Sequence, residues 1–208
     1  AGDIYAWINS DDIYLNGCFN LIEKIFNEYS TVRWVKGITS FINKDSTIYK
    51  EGKCYLYSRE WIKEGVYGPV LYFIQQDSVF WRRDLWETVG GVDSNLKLAG
   101  DFDLWQRFAD ITPLYSVNAY VSCFRKTGNQ KSINLDRYWN EIDSVSEIKY
   151  THKSLHEIFK RYEMNSGSSV RKFKLKIAFC HDYHLIDISC DGGTTLYDGT
   201  YLQLQEYL

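Results

Sequence analysis

The sequence predicts an α/β layered domain, and two observations carry that expectation. Short apolar runs bounded by turn formers alternate with segments whose apolar residues recur every three to four positions. This alternation of strand-like and helix-like patterns continues from residue 4 to about residue 124, as a sheet flanked by helices requires. Composition agrees: of 208 residues 45% are hydrophobic and 25% charged, enough apolar surface for a core and outside the range of disordered chains.

The first run, 4–8, carries Tyr5 and Trp7 and reads as a buried strand, closed by the turn formers Asn9, Ser10, Asp11 and Asp12. A helix is expected over 16–29, where Phe19, Ile22, Phe26 and Tyr29 recur on one face. Strands follow over 32–39 and 47–50. A short helix over 58–64 is opened by Ser58 as cap, with Gly65, Gly68 and Pro69 as breakers. A strand over 78–81 leads to a helix over 83–89, stopped by Gly90 and Gly91. The next helix, 101–108, has Leu104, Trp105 and Phe108 as its apolar stripe. Over 114–124 the pattern alternates, with Tyr115, Val117, Ala119, Val121 and Cys123 on one side, so this is a strand.

The pattern changes after about residue 132. Helices are expected over 135–149 and 154–163, a flexible break over 165–169, and a two-faced strand over 172–179 that alternates Lys with apolar residues. The expected organisation is a core over 1–132, helices over 133–164 and an extension over 165–208.

Charge and cysteine content exclude some classes. A net charge of -3 lacks the basic surplus that nucleic acid demands. Five cysteines, odd in number and scattered, make no disulfide framework, so a reducing, cytoplasmic location is expected. No window reaches the roughly 20 apolar residues of a membrane-spanning helix. The basic run over 171–176 has two readings: contact with anionic lipid headgroups at the inner face of a membrane, or a solvated strand face. Cys180, His181, His184 and Cys190 are soft ligands at short spacing, but they match no zinc pattern, and a small unit with a buried Cys and surface His is the simpler account.

Two pairs of acids carry the chemistry. Asp11 and Asp12 stand at the tip of the first strand, the end at which open α/β sheets bind ligands. Adjacent carboxylates repel, so the pair calls for a cation or donor groups, and Mg²⁺ or Mn²⁺ binds such oxygens together with phosphates and water. The same tetrapeptide also fits a solvated turn in which Asp12 or Asn16 caps the next helix. Asp101 and Asp103 open a helix, where acids ordinarily answer the dipole. Two positions apart, at most one of them faces a site, where it would act as a base toward a hydroxyl.

Taken together the motifs resemble a known family. Gly2-Asp3-Ile4-Tyr5-Ala6-Trp7-Ile8-Asn9-Ser10-Asp11-Asp12-Ile13-Tyr14 is similar to the strand and metal-binding turn of family 2 glycosyltransferases. Phe73-Ile74-Gln75-Gln76-Asp77-Ser78-Val79-Phe80-Trp81-Arg82-Arg83 resembles that family's acceptor-side strand. Leu85-Trp86-Glu87-Thr88-Val89-Gly90-Gly91-Val92-Asp93 and Gly100-Asp101-Phe102-Asp103-Leu104-Trp105 follow in the family's order. Phe124-Arg125 with Gln130-Lys131-Ser132 is similar to its closing segment, so the resemblance covers about residues 1–150.

The resemblance implies a GT-A-like (Rossmann-like) mixed sheet flanked by helices, with a helical and small β extension at the C-terminus. It implies transfer of a sugar, with inversion, from a nucleotide-diphosphate-sugar to a glycan or lipid-linked acceptor. By the same resemblance Asp12 would hold Mg²⁺ or Mn²⁺, Asp11 would contact the ribose or diphosphate, and Asp101 would be the base. Gln76 and Trp81 would border the sugar pocket. The chain departs from the family at three points. It opens at Ala1 directly into the first strand, so it is expected to be N-terminally truncated, without the nucleotide-gripping strands. Thr127 stands where many relatives place His, and Gly100 where an acid often precedes the base. The competing expectation is a non-catalytic carbohydrate- or partner-binding remnant of the same fold. A phosphoryl-transfer enzyme ranks last, for want of a Gly-rich phosphate loop.

Overall fold

The structure, a computed structural model, describes residues 2–68, 71–127, 135–145 and 182–200. It is an α/β fold built on one mixed sheet. In chain order the elements are β1 (Ile4–Ala6), β2 (Ile13–Tyr14), α1 (Cys18–Glu28), β3 (Trp34–Ile42), β4 (Ile48–Lys50) and α2 (Arg59–Lys63). A 3-10 turn (Gln76–Ser78) then leads into β5 (Val79–Arg82), α3 (Arg83–Val89), α4 (Gly100–Ile111), β6 (Tyr115–Arg125), α5 (Leu135–Val145), β7 (Asp182–Ile188) and β8 (Thr194–Thr200).

Eight strands form an open sheet in the order β1-β5-β3-β6-β7-β8, with β2 added to β6 and β4 to β3. β1 and β3 each run antiparallel to β5, whereas β3, β6 and β7 are mutually parallel neighbours. The C-terminal ends of β1, β3 and β6 therefore lie along one edge, beside the start of β5. That edge is where a ligand meets an open α/β sheet.

Alternation along the strands divides the core into two layers. On β3, Trp34 packs with the α2, α3 and α4 side and Val35 with the α1 side; on β5, Trp81 and Phe80 divide in the same way. The first layer is unusually aromatic: Trp34 stacks on Trp105 at 5.7 Å, and Trp81 stacks on Trp86 at 5.8 Å. Its α4 stripe is Leu104, Trp105 and Phe108, as the spacing predicts.

Local signals place most helix ends. Ser58 accepts from the Trp61 N–H and opens α2. Gly90 closes α3 in the left-handed region at φ 77°, which glycine adopts without a Cβ penalty. The α1 stripe differs from the expected one: Cys18, Ile22, Ile25 and Phe26 are buried, and Phe19 is 60% exposed. One residue is about 100° of helix, so the core takes the neighbouring face, and Phe19 instead meets Tyr14 edge-on.

Two further differences concern strands. β2 is only two residues long and follows turn formers, so no alternation announces it. β7 and β8 form an antiparallel hairpin that continues the main sheet through β7 and β6. Residues 182–200 are thus part of the central sheet rather than a small separate unit. The expected helix over 154–163, break over 165–169 and strand over 172–179 lie outside the described residues.

Gly52, just past β4, packs directly on β3: a Cβ there would stand 1.9 Å from the Thr39 carbonyl oxygen. Because the obstacle is backbone, it has no rotamer to yield. Gly52→Ala is expected to destabilise the fold by about 1–3 kcal/mol, read as a lowered thermal midpoint; an unchanged midpoint would show that this packing is loose.

Candidate functional site

A cleft of about 910 Å³ opens at the carboxyl edge of the sheet. Asp11, Gln76 and Asp101 all border it, with Asp77 in its floor and Thr127 on its rim. This is the size range of small-molecule and cofactor sites. Aromatic side chains line it as well, among them Trp7, Phe41, Phe73 and Phe124.

The two adjacent acids are not equivalent. Asp12 turns inward and is 8% exposed. Its Oδ1 accepts the Arg125 N–H at 2.8 Å, and its Oδ2 accepts from Asn9 Nδ2 at 3.2 Å. Burial, only partly countered by the Arg125 N–H, pushes its pKa up to about 6. Asp11 is exposed and lines the cleft, and no described residue bonds its carboxylate. It is the backbone carbonyl of Asp11 that takes a bond, from Arg125 Nε at 2.8 Å. Of the two, Asp12, read from the sequence as the metal ligand, is bonded inward to the Arg125 N–H and Asn9, and Asp11 is the carboxylate that borders the cleft.

Arg125 is the organiser of this edge. Besides its two bonds to the acidic turn, its Nη1 donates to the Asn43 carbonyl at 3.0 Å and to Ser46 Oγ at 2.9 Å. One side chain thus joins the ends of β1, β3 and β6.

Beneath the acids lies a buried polar group that sequence reading missed. Asp77 is 2% exposed and accepts from Ser122 Oγ. Lys36, buried in β3, donates to the Gly37 carbonyl at 2.7 Å and lies within electrostatic reach of Asp77. Burial pushes the Lys36 pKa down to about 8, against the pull of Asp77, and burial pushes the Asp77 carboxyl up. A lysine inside the strand run Trp34–Ile42 was the available signal, since buried charges are nearly always compensated.

Asp101 stands in the first turn of α4 on the cleft, while Asp103 points elsewhere and pairs with Arg107 at 2.6 Å. Only one of the two acids faces the site, as their spacing requires. The Asp101 Oδ1 accepts the Phe102 N–H at 2.8 Å and the Tyr138 hydroxyl at 3.3 Å. The residue is half-buried, but packing desolvates its carboxyl and pushes its pKa up to about 6, the two donors opposing the rise.

Gln76 borders the cleft and donates through Nε2 to the Trp7 carbonyl at 3.1 Å, fixing where β1 leaves the sheet. Trp81 does not border it. At 2% exposure Trp81 belongs to the aromatic layer under α3 and α4, because its position in β5 points away from the edge. Tyr138 and Glu141 of α5 also reach this region and carried no motif. Of the four possible zinc ligands, Cys180 and His181 lie outside the described residues. His184 contacts Asp198 within the β7–β8 hairpin, and Cys190 is exposed beyond the end of β7.

Among the described residues no group of three or more His, Cys, Asp or Glu is gathered to hold a metal ion. A hard divalent cation here would take one protein carboxylate, Asp11, and complete its shell with substrate phosphates and water, as Mg²⁺ commonly does. In comparison with known proteins, the chain matches no family model and no curated relative. No helix among the described residues is long and apolar enough to cross a membrane.

The contrast between the two acids is measurable. Asp12→Ala leaves the Arg125 N–H without its acceptor and is expected to cost about 1–3 kcal/mol. Asp11→Ala is expected to change stability by no more than about 0.5 kcal/mol. Urea denaturation of both variants checks this, and equal losses would contradict the assignment.

Proposed function

We propose that the chain carries the acid-lined core of a GT-A-type glycosyltransferase. It would move a sugar from a nucleotide-diphosphate-sugar to a hydroxyl of a glycan or lipid-linked acceptor, with inversion. One observation carries the reading: Asp11 and Asp101, distant in sequence, border a single cleft at the carboxyl edge of the sheet.

Each acid suits one half of the reaction. Asp101 accepts the proton of the acceptor hydroxyl as its oxygen attacks the anomeric carbon, and the bond from that carbon to the diphosphate breaks on the opposite side. With its pKa near 6, Asp101 is deprotonated at neutral pH and still basic enough to take that proton. Asp11 presents a carboxylate that no described side chain occupies. Mg²⁺ or Mn²⁺ held by Asp11 and the donor's diphosphate would offset the charge on the leaving group. Gln76, anchored on the Trp7 carbonyl, shapes the wall beside the transferred sugar.

The aromatic lining favours a second reading, a carbohydrate-binding domain without transfer. Trp7, Phe41, Phe73 and Phe124 offer apolar faces for sugar rings whether or not a donor is present.

Calorimetric titration with Mn²⁺ and a panel of UDP- and GDP-sugars separates the two. The transferase reading expects metal-dependent binding that is lost in Asp11→Ala. Asp101→Asn is expected to keep that binding and lose about 10²–10⁴-fold in transfer. Because Asp101 must be deprotonated, transfer falls as pH drops below about 6. Binding of free glycans, unaffected by metal and nucleotide, would favour the second reading.

A further inference from the structure

Helix α5 holds the entrance to α4 through two side chains set one turn apart. Glu141 Oε1 accepts the Lys97 N–H at 2.7 Å, and its Oε2 accepts the Leu98 and Ala99 N–H groups at 2.6 and 2.7 Å. These amides belong to the segment that leads directly into Gly100 and Asp101. Donors that would otherwise face solvent at the start of a helix are thus gathered on one carboxylate. Three residues earlier, Tyr138 places its hydroxyl 3.3 Å from Asp101 Oδ1.

The helix is seated by its own small core. Trp139 stacks on Phe73 at 5.9 Å, and Trp139 and Ile142 pack with Ala99 and Phe102. Tyr138, Lys97, Leu98 and Asp101 all border the cleft. The contacts of α5 therefore converge on the position of a single cleft-facing carboxylate, far more than is needed to cover an apolar patch.

We propose that Tyr138 and Glu141 are positioning residues for Asp101. Glu141 fixes the backbone from which α4 starts, and Tyr138 fixes the orientation of the carboxylate. The catalytic consequence rests on the transferase reading above; the latch itself does not. Asp11, Asp77, Asp93 and Lys97 are the other charged groups bordering the cleft, and Tyr67 shares with Asp101 a small apolar cavity beneath α4. Tyr138→Phe leaves all of these in place; Glu141→Gln also removes a negative charge beside Lys97.

Tyr138→Phe keeps the ring that packs against Phe73, Phe102 and Trp139 and removes only the donor. Carboxyl-carbon NMR of this variant is expected to show the Asp101 titration midpoint moved upward, since the lost hydrogen bond favours the charged form. In Glu141→Gln an amide replaces one accepting oxygen with a donor. Hydrogen exchange at Leu98 and Ala99 is expected to quicken about tenfold, with exchange in α1 unchanged. In a transfer assay Tyr138→Phe lowers kcat, leaves KM close to wild type and moves the acid limb of the pH profile upward. An unmoved Asp101 midpoint together with unchanged exchange would overturn the latch. A wild-type protein that binds no nucleotide-sugar would instead overturn the transferase reading, while both NMR results could still hold.

Discussion

Asp12 lies beneath the carboxyl ends of β1 and β6, where its carboxylate grips the Arg125 N–H, and the geometry of the cleft follows from that contact. Removing a carboxylate from water is costly, and its pKa near 6 registers the cost. The Arg125 N–H and the Asn9 amide offset it. With Asp12 fixed inward, the next residue back along a tight turn must face outward, and this is how Asp11 comes to line the cleft. The Arg125 guanidinium extends the same constraint by tying the turn to the loop between β3 and β4.

The rest of the site is arranged around this acid-rich edge. Asp77 lies close enough to Asp12 to raise its pKa, so several negative groups share one end of the sheet. Such repulsion is tolerated only with compensation. Lys36 supplies a positive charge from below, Ser122 donates to Asp77, and the backbone at Arg125 donates to Asp12. These contacts answer the inner acids and leave Asp11 to the cleft. On the other wall Asp101 is held differently, by a helix N-terminus and by α5, and burial raises the pKa of its carboxyl.

Much of the layer architecture was legible in the sequence, because periodicity reports burial directly. The α3 helix and its glycine stop, the α4 stripe and the long strand β6 follow from spacing alone. The α1 face was misread by one position because Phe19 looks like core by residue type, yet Tyr14 supplies it with a surface partner. The β7–β8 hairpin was not anticipated, since pairing with β6 is a non-local event that no local pattern encodes. Within the site, the presence of acids at 11, 12 and 101 was readable, but not which of the adjacent pair faces the cleft. That choice depends on Arg125, more than a hundred residues away and joined only by the fold. Trp81 was placed at the pocket by the resemblance of its segment, whereas β5 carries it into the core. Tyr138 and Glu141 were invisible for the same reason: their partners are set by how α5 docks.

The central claim is that Asp11 and Asp101 face one shared ligand space. Paramagnetic broadening tests it most directly: Mn²⁺ with a nucleoside diphosphate is added to isotopically labelled protein, and backbone amide signals are followed. The account predicts selective broadening at Ser10 and Asp11 and, across the cleft, at Gly100 and Asp101, while the β7–β8 hairpin stays sharp. Broadening centred on the hairpin, or at Asp11 with none at Gly100 and Asp101, would contradict it.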